Sequence, residues 1–161
     1  RAIAGLSMGG MQALNLAVGG YRCDSSLYTG TRGVWGNFLD TTVLAPGMED
    51  LFAYVGAFSQ APTSSNGKTL GASIASSSHR LDLLYVTCGD ADGVAFGSGY
   101  VPSVDGLVEA AGDNLRHLYQ VVIAGGAHDF RVWNNGAYNF ARLAFGKLDE
   151  LSLPQVIKVG I

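Results

Sequence analysis

Apolar residues fall in short runs along this chain, and the spacing inside each run separates strands from helices. Residues 1–5 (Arg-Ala-Ile-Ala-Gly) read as the end of a buried strand. After a turn at 7–10, Met11, Leu14, Leu16, Ala17 and Val18 recur at helical spacing. Gly19 and Gly20 end that helix, because paired glycines extend a helix poorly and cap it well. From 21 to 47 the chain is rich in Gly, Thr, Ser and aromatics without a sustained period, and reads as a long excursion rather than core. Residues 51–58 form a second buried strand with a helical or turn-like entry, and the Ser/Gly/Pro-rich stretch 59–78 reads as loop or short helix. Leu-Leu-Tyr-Val-Thr-Cys at 83–88 is a third strand, 101–111 a helix, 118–123 a fourth strand and 133–145 a closing amphipathic helix. Strands alternating with helices predict an α/β fold with a mostly parallel sheet flanked by helices. There is no internal repeat and no low-complexity linker, so one domain is expected.

Composition narrows the class. Hydrophobic residues make up 48% of the chain and charged residues 14%, which implies a well-buried core rather than disorder. Ten Lys and Arg against 13 Asp and Glu give a net charge of -3, and no basic patch marks a nucleic-acid partner. No apolar run is long enough to span a membrane. Cys23 and Cys88 have neither metal-ligand spacing nor a redox-pair motif. Cys88 ends an apolar run and reads as a buried, inert thiol; a disulfide to Cys23 or to a residue outside the chain stays open. The chain opens at Arg1 inside a strand, with no initiator Met and no signal-peptide layout, so further residues are expected upstream.

Candidate chemistry starts at Gly5-Leu6-Ser7-Met8-Gly9, which matches G-x-S-x-G with an apolar strand before it and a helix after it. A serine on so sharp a turn needs strained backbone angles and neighbours without a Cβ, which accounts for Gly5 and Gly9. The helix that follows aims its N-terminal N–H groups and positive dipole end at Ser7, so the backbone N–H of Met8 is an oxyanion donor. The competing reading is a glycine-rich turn with a solvent-facing serine; the strand-turn-helix context favours the nucleophile.

A serine hydroxyl attacks only when a base takes its proton, usually a histidine held by a carboxylate. His79 stands at the entry to the third strand and reads as a surface residue. His117 precedes the fourth strand, a structural position. His128 lies in the glycine-rich segment 125–130 after a strand and comes last in the order Ser, Asp, His. In Cys88-Gly-Asp-Ala-Asp-Gly93, Asp90 directly follows the strand and reads as a brace of the turn, whereas Asp92 is better placed to reach the histidine. Asp129 adjoins His128 and reads as bracing its loop. Ser7, Asp92 and His128 satisfy position and chemistry together, with no metal or organic cofactor required.

The segments 5–10, 51–59, 88–93 and 126–134 together resemble the esterase D-like family of α/β hydrolases, and within it the feruloyl and acetyl-xylan esterases of carbohydrate esterase family 1. The stretch 133–145 is similar to the helix after the catalytic histidine there. The resemblance covers most of residues 1–145, its most specific part being the histidine segment. It implies the C-terminal part of an α/β-hydrolase fold with the N-terminal strands missing, since 161 residues are short for that fold. It also implies an extracellular ester hydrolase acting on plant cell-wall polysaccharide or a small ester, with a fused glycosidase or carbohydrate-binding module as a possible companion. Ser7 carries over as nucleophile, His128 as base, Asp92 as orienting acid and Met8 N–H as one oxyanion donor. The second donor is expected from a loop this chain lacks.

Residues 1–147 then form the partial catalytic domain, and 148–161 an extension outside the family pattern. The segment 21–47 is longer than such a connection needs and reads as a surface insertion or a substrate-binding lid. Trp35 is the aromatic residue placed for ligand contact, while Trp133 and Tyr138 read as core packing of the closing helix. An acyltransferase or small-molecule esterase of the same fold, and a non-catalytic relic or binding domain, are the alternatives. Without upstream strands, residues 1–4 become an apolar sheet edge, so the isolated chain is expected to be poorly stable and inactive.

Overall fold

The computed structural model describes residues 1–22, 40–62, 64–146 and 155–160; Cys23 and Trp35, with the middle of the 21–47 segment, lie outside the described residues. The main sheet contains β1 (Ala2–Leu6), β4 (Tyr54–Phe58), β5 (Leu83–Gly89), β6 (Leu118–Ala124) and β7 (Gln155–Gly160), side by side in that order and all parallel. Helix α1 (Met8–Ala17) follows β1, α2 (Gly67–Ser76) follows β4, and α5 (Phe130–Ala144) follows β6. Parallel neighbours require such crossovers, and the helices they supply bury both faces of the sheet. The fold is α/β, with a parallel sheet flanked by helices.

The sequence of β5 shows why both faces are covered. All seven of its residues are buried, and side chains alternate between two cores. Leu84, Val86 and Cys88 join Leu14, Val18, Leu70, Ile74 and Leu107 beneath α1, α2 and α4 (Leu107–Ala111). Leu83 and Tyr85 join Phe58, Tyr119, Val121, Val132 and Phe140 beneath α5. Three aromatic rings close the second core, with Phe58, Tyr85 and Phe140 meeting at centroid distances of 6.2 to 6.3 Å. Among the described residues, strand β1 forms one edge of the sheet and pairs with β4 alone, with Leu6 exposed.

Several expectations change in detail. Inside the Ser/Gly-rich stretch 59–78, α2 forms because Asn66 caps it, its side chain accepting from Thr69 N–H at 2.9 Å. The single helix expected over 101–111 is two, α3 (Val101–Val104) and α4, broken where Gly106 adopts φ +68°. The closing helix starts at Phe130, three residues earlier than its apolar pattern, because Asp129 accepts from the N–H groups of Arg131 and Val132. The described ends of the 21–47 excursion contain β2 (Gly19–Arg22) and β3 (Asp40–Pro46), an antiparallel pair apart from the main sheet. The tail 148–161, read as an extension, supplies β7, which pairs with β6 from Tyr119↔Gln155 to Ala124↔Gly160. Tyr138 is 63% exposed, so it does not pack in the core; its ring lies under the Arg142 guanidinium at 5.6 Å.

Candidate active site

In an open parallel sheet the strands deliver their following loops to one edge, the carboxyl end. Ser7 follows β1, Asp92 follows β5 and His128 follows β6, so three segments distant in sequence reach the same edge. The structure brings these three side chains into one line. His128 Nε2 lies 3.0 Å from Ser7 Oγ, and His128 Nδ1 lies 2.7 Å from Asp92 Oδ2.

The turn at Ser7 is strained as its motif requires. Ser7 has φ 52° and ψ -119° and stands immediately before the first turn of α1. Its carbonyl accepts from Gly10, Met11 and Ala61 N–H at 3.0 to 3.2 Å, and its own N–H donates to Phe58 O at 2.8 Å. These bonds hold the residue in a region that side chains rarely occupy. Met8 N–H is the first of the helix and has no acceptor within it, as an oxyanion donor requires. Of the two glycines assigned to the turn, only Gly5 is needed there. A Cβ at Gly5 would sit 2.2 Å from the Gly9 carbonyl oxygen, whereas one at Gly9 would meet nothing within 4 Å. The second crowded position is Gly10, held between Gly5 O and Gln60.

Asp92 and His128 meet because β5 and the histidine loop approach at backbone distance. A Cβ at Gly89 would lie 2.0 Å from the Gly126 carbonyl oxygen, so a side chain there would push the two loops apart. Ala91 N–H donates to Gly126 O at 3.0 Å, and Gly125 N–H donates to Asp90 Oδ1 at 2.7 Å. Asp90 thus ties the acid loop to the base loop, and Asp129 caps α5 directly after the base.

Electrostatics bear on the acid. The Asp92 side chain is completely buried and that of His128 is 22% exposed. Burial alone would raise the Asp92 carboxyl. The hydrogen bond from His128, the N–H groups of Ala95 and Val94 and the Ser59 hydroxyl outweigh it and hold the carboxyl below its ordinary value. An ionised carboxylate only accepts, so the neutral imidazole of His128 that pairs with it carries its proton on Nδ1 and presents the Nε2 lone pair to the Ser7 hydroxyl. Trp133 meets the imidazole edge-on at 5.0 Å and Phe130 meets Trp133 at 4.9 Å, which confines the ring from the α5 side.

The other candidates stand apart from this line. His79 is exposed beside Ser78, and His117 is buried at the start of β6. Cys88 is a free, buried thiol whose pKa burial pushes up to about 12, with the Asp92 charge adding to it. Ser59, which sequence reasoning passed over, touches the acid. Among the described residues no cluster of His, Cys, Asp or Glu could hold a metal ion, and no helix is long and apolar enough to cross a membrane. No protein-family model matches the chain, and no solved structure matches it.

Proposed function

We propose that this protein is a serine carboxylic ester hydrolase of the α/β-hydrolase type, working through Ser7, His128 and Asp92. The observation that carries the reading is the unbroken line from Ser7 Oγ through the imidazole to a buried carboxylate, 3.0 and 2.7 Å. A glycine-rich turn with a solvent-facing serine would have no reason to hold φ 52° against two such bonds.

Ser7 Oγ attacks the ester carbonyl carbon while His128 Nε2 takes the hydroxyl proton. Met8 N–H donates to the oxyanion, and Asp92 stabilises the imidazolium through Nδ1–H. As the tetrahedral intermediate collapses, the ester C–O bond breaks and Nε2–H protonates the departing alkoxide. Water, deprotonated by the same nitrogen, then cleaves the Ser7 acyl bond and returns the proton to Ser7. Each cycle consumes one ester and one water and releases one acid and one alcohol. The resemblance of segments 5–10, 88–93 and 126–134 to carbohydrate esterases points to feruloyl or acetyl groups on plant cell-wall xylan as the acyl cargo, and to an extracellular setting.

The test is labelling of the full-length protein by a fluorophosphonate, which needs a nucleophilic serine but no particular substrate, followed by turnover on feruloylated xylan, acetylated xylan and short aryl esters. Wild type should label on Ser7 and hydrolyse at least one ester, and Ser7→Ala should do neither while keeping its thermal transition. Labelling or turnover that survives Ser7→Ala overturns the assignment.

A further inference from the structure

We propose that Ser59 is a positioning residue of this site: its hydroxyl, together with the Cys88 thiol, holds the Asp92 carboxylate in the orientation that points Oδ2 at His128. The proposal rests on the triad reading above.

Its first support is register. Strands β1 and β4 run parallel with Leu6 opposite Phe58, so the residues that follow them, Ser7 and Ser59, occupy equivalent places. The hydrogen-bond ladder continues one step past both strands, Ser7 N–H donating to Phe58 O and Ser59 N–H to Thr87 O, each at 2.8 Å. Ser59 also has φ +46°, and among the described residues it and Ser7 are the only non-glycine residues at positive φ. Glycine would take this conformation without strain. A serine strained there gives its side chain a position that glycine could not fill.

The second support is what the side chain touches. Ser59 is fully buried, so its hydroxyl must find a partner inside the protein. Its measured neighbour is Cys88 Sγ, 3.7 Å from Ser59 Oγ, and the hydroxyl is among the groups that hold the Asp92 carboxyl low. The Cys88 thiol lies 3.5 Å from Asp92 Oδ2. Asp92 Oδ1 is already held by Val94 and Ala95 N–H, both at 2.9 Å. Those two bonds fix one oxygen of the carboxylate. The twist of the group about that oxygen is set on the other side by His128 and by the Cys88 thiol, which the Ser59 hydroxyl holds in turn. Because the carboxylate is sealed from solvent, no bulk water replaces a missing donor. Without the Ser59 hydroxyl the carboxylate turns towards its remaining donors and its line to the imidazole loosens.

Two substitutions separate positioning from mere structure. Ser59→Gly removes the hydroxyl and relieves the backbone; Ser59→Ala removes the hydroxyl and keeps the strain. In the full-length protein both should lower kcat about 10- to 100-fold on a short aryl ester with KM unchanged, the scale of a small misalignment of catalytic groups. The Gly variant should unfold at or above the wild-type temperature. The low-field proton resonance of His128 Nδ1–H should move upfield in both variants. A Ser59→Gly protein with wild-type kcat and an unmoved resonance, alongside a Ser7→Ala protein that is inert, overturns the positioning role and leaves the triad standing. A wild-type protein that neither labels nor turns over overturns the triad reading, and this proposal with it.

Discussion

Replacing Asp92 by Asn asks what the buried carboxylate does, because the change leaves most of its surroundings in place. The Asn carbonyl can keep the two bonds from Val94 and Ala95 N–H that Asp92 Oδ1 now accepts at 2.9 Å each. The amide NH2 then occupies the position of Oδ2 and presents N–H to His128 Nδ1, where a proton was donated before at 2.7 Å. Two donors cannot share that contact, so the imidazole moves its proton to Nε2 and turns an N–H towards Ser7 Oγ, 3.0 Å away. The base is then in the wrong tautomer to accept. In a triad of this kind the same change lowers kcat about 10⁴-fold with geometry preserved, which is about 5.5 kcal/mol at the transition state at 1.36 kcal/mol per tenfold. Thermal stability should fall much less, since the loop keeps its backbone bonds. Asp92→Ala is the contrast: it strips the Val94 and Ala95 N–H groups of their acceptor and should cost the fold about 1–3 kcal/mol for a buried group left unpaired. The assay is kcat on a chromogenic aryl ester beside the fluorophosphonate labelling rate and the thermal midpoint. If Asp92→Asn keeps kcat within tenfold of wild type while remaining folded, the tautomer argument is wrong and Asp92 only braces its loop.

Two further outcomes follow from the same structure. Gly5→Ala should destabilise the protein by about 1–3 kcal/mol, as overpacking does, because its Cβ would lie 2.2 Å from Gly9 O; Gly9→Ala, with open space around its Cβ, should stay within about 0.5 kcal/mol of wild type, and equal effects in thermal melts would contradict the crowding. The Asp92 carboxyl is held below its ordinary value, so its pairing stabilises the folded state above the unfolded-chain pKa of about 3.9 and is lost as pH falls through the lower folded value. The gap in thermal midpoint between wild type and Asp92→Asn should therefore be widest near neutrality and close in acid. A gap that grows on acidification would reverse the sign and refute the reasoning.

What could be read from the sequence was whatever depends on one local pattern. The runs 83–88 and 118–123 announced β5 and β6 because each is buried on both faces, and the order Ser7, Asp92, His128 could be read once the strands were placed. Features that depend on pairing were not legible. Thr41-Thr42-Val43-Leu44 in β3 has strong strand preference, but the Gly- and Ser-rich residues around it flattened the average. The tail 155–160 carries no motif and gains its place only from its parallel register with β6. Tyr138 misled because a helix with Phe140 on its buried face puts a residue two positions earlier on the other side. Gly9 misled because the motif has two glycines while the crowding falls on Gly5 and Gly10. Ser59 gave no signal at all, since its importance lies in a dihedral angle and a neighbour 33 positions away, at Asp92.

The placement of strain ties these observations together. A residue other than glycine held at positive φ costs about 1–3 kcal/mol and persists only where its surroundings over-determine it. Among the described residues the two of this kind both stand at the carboxyl edge of the sheet, directly after adjacent parallel strands. Where this edge demands only close approach, the chain uses glycine, at Gly5 and Gly89. Where it demands a hydroxyl, it accepts a strained serine. Glycine would take the same backbone conformation at either position without strain. The strain at Ser7 and Ser59 is therefore best explained by what their hydroxyls face: an imidazole in one case and, in the other, the carboxylate that orients it.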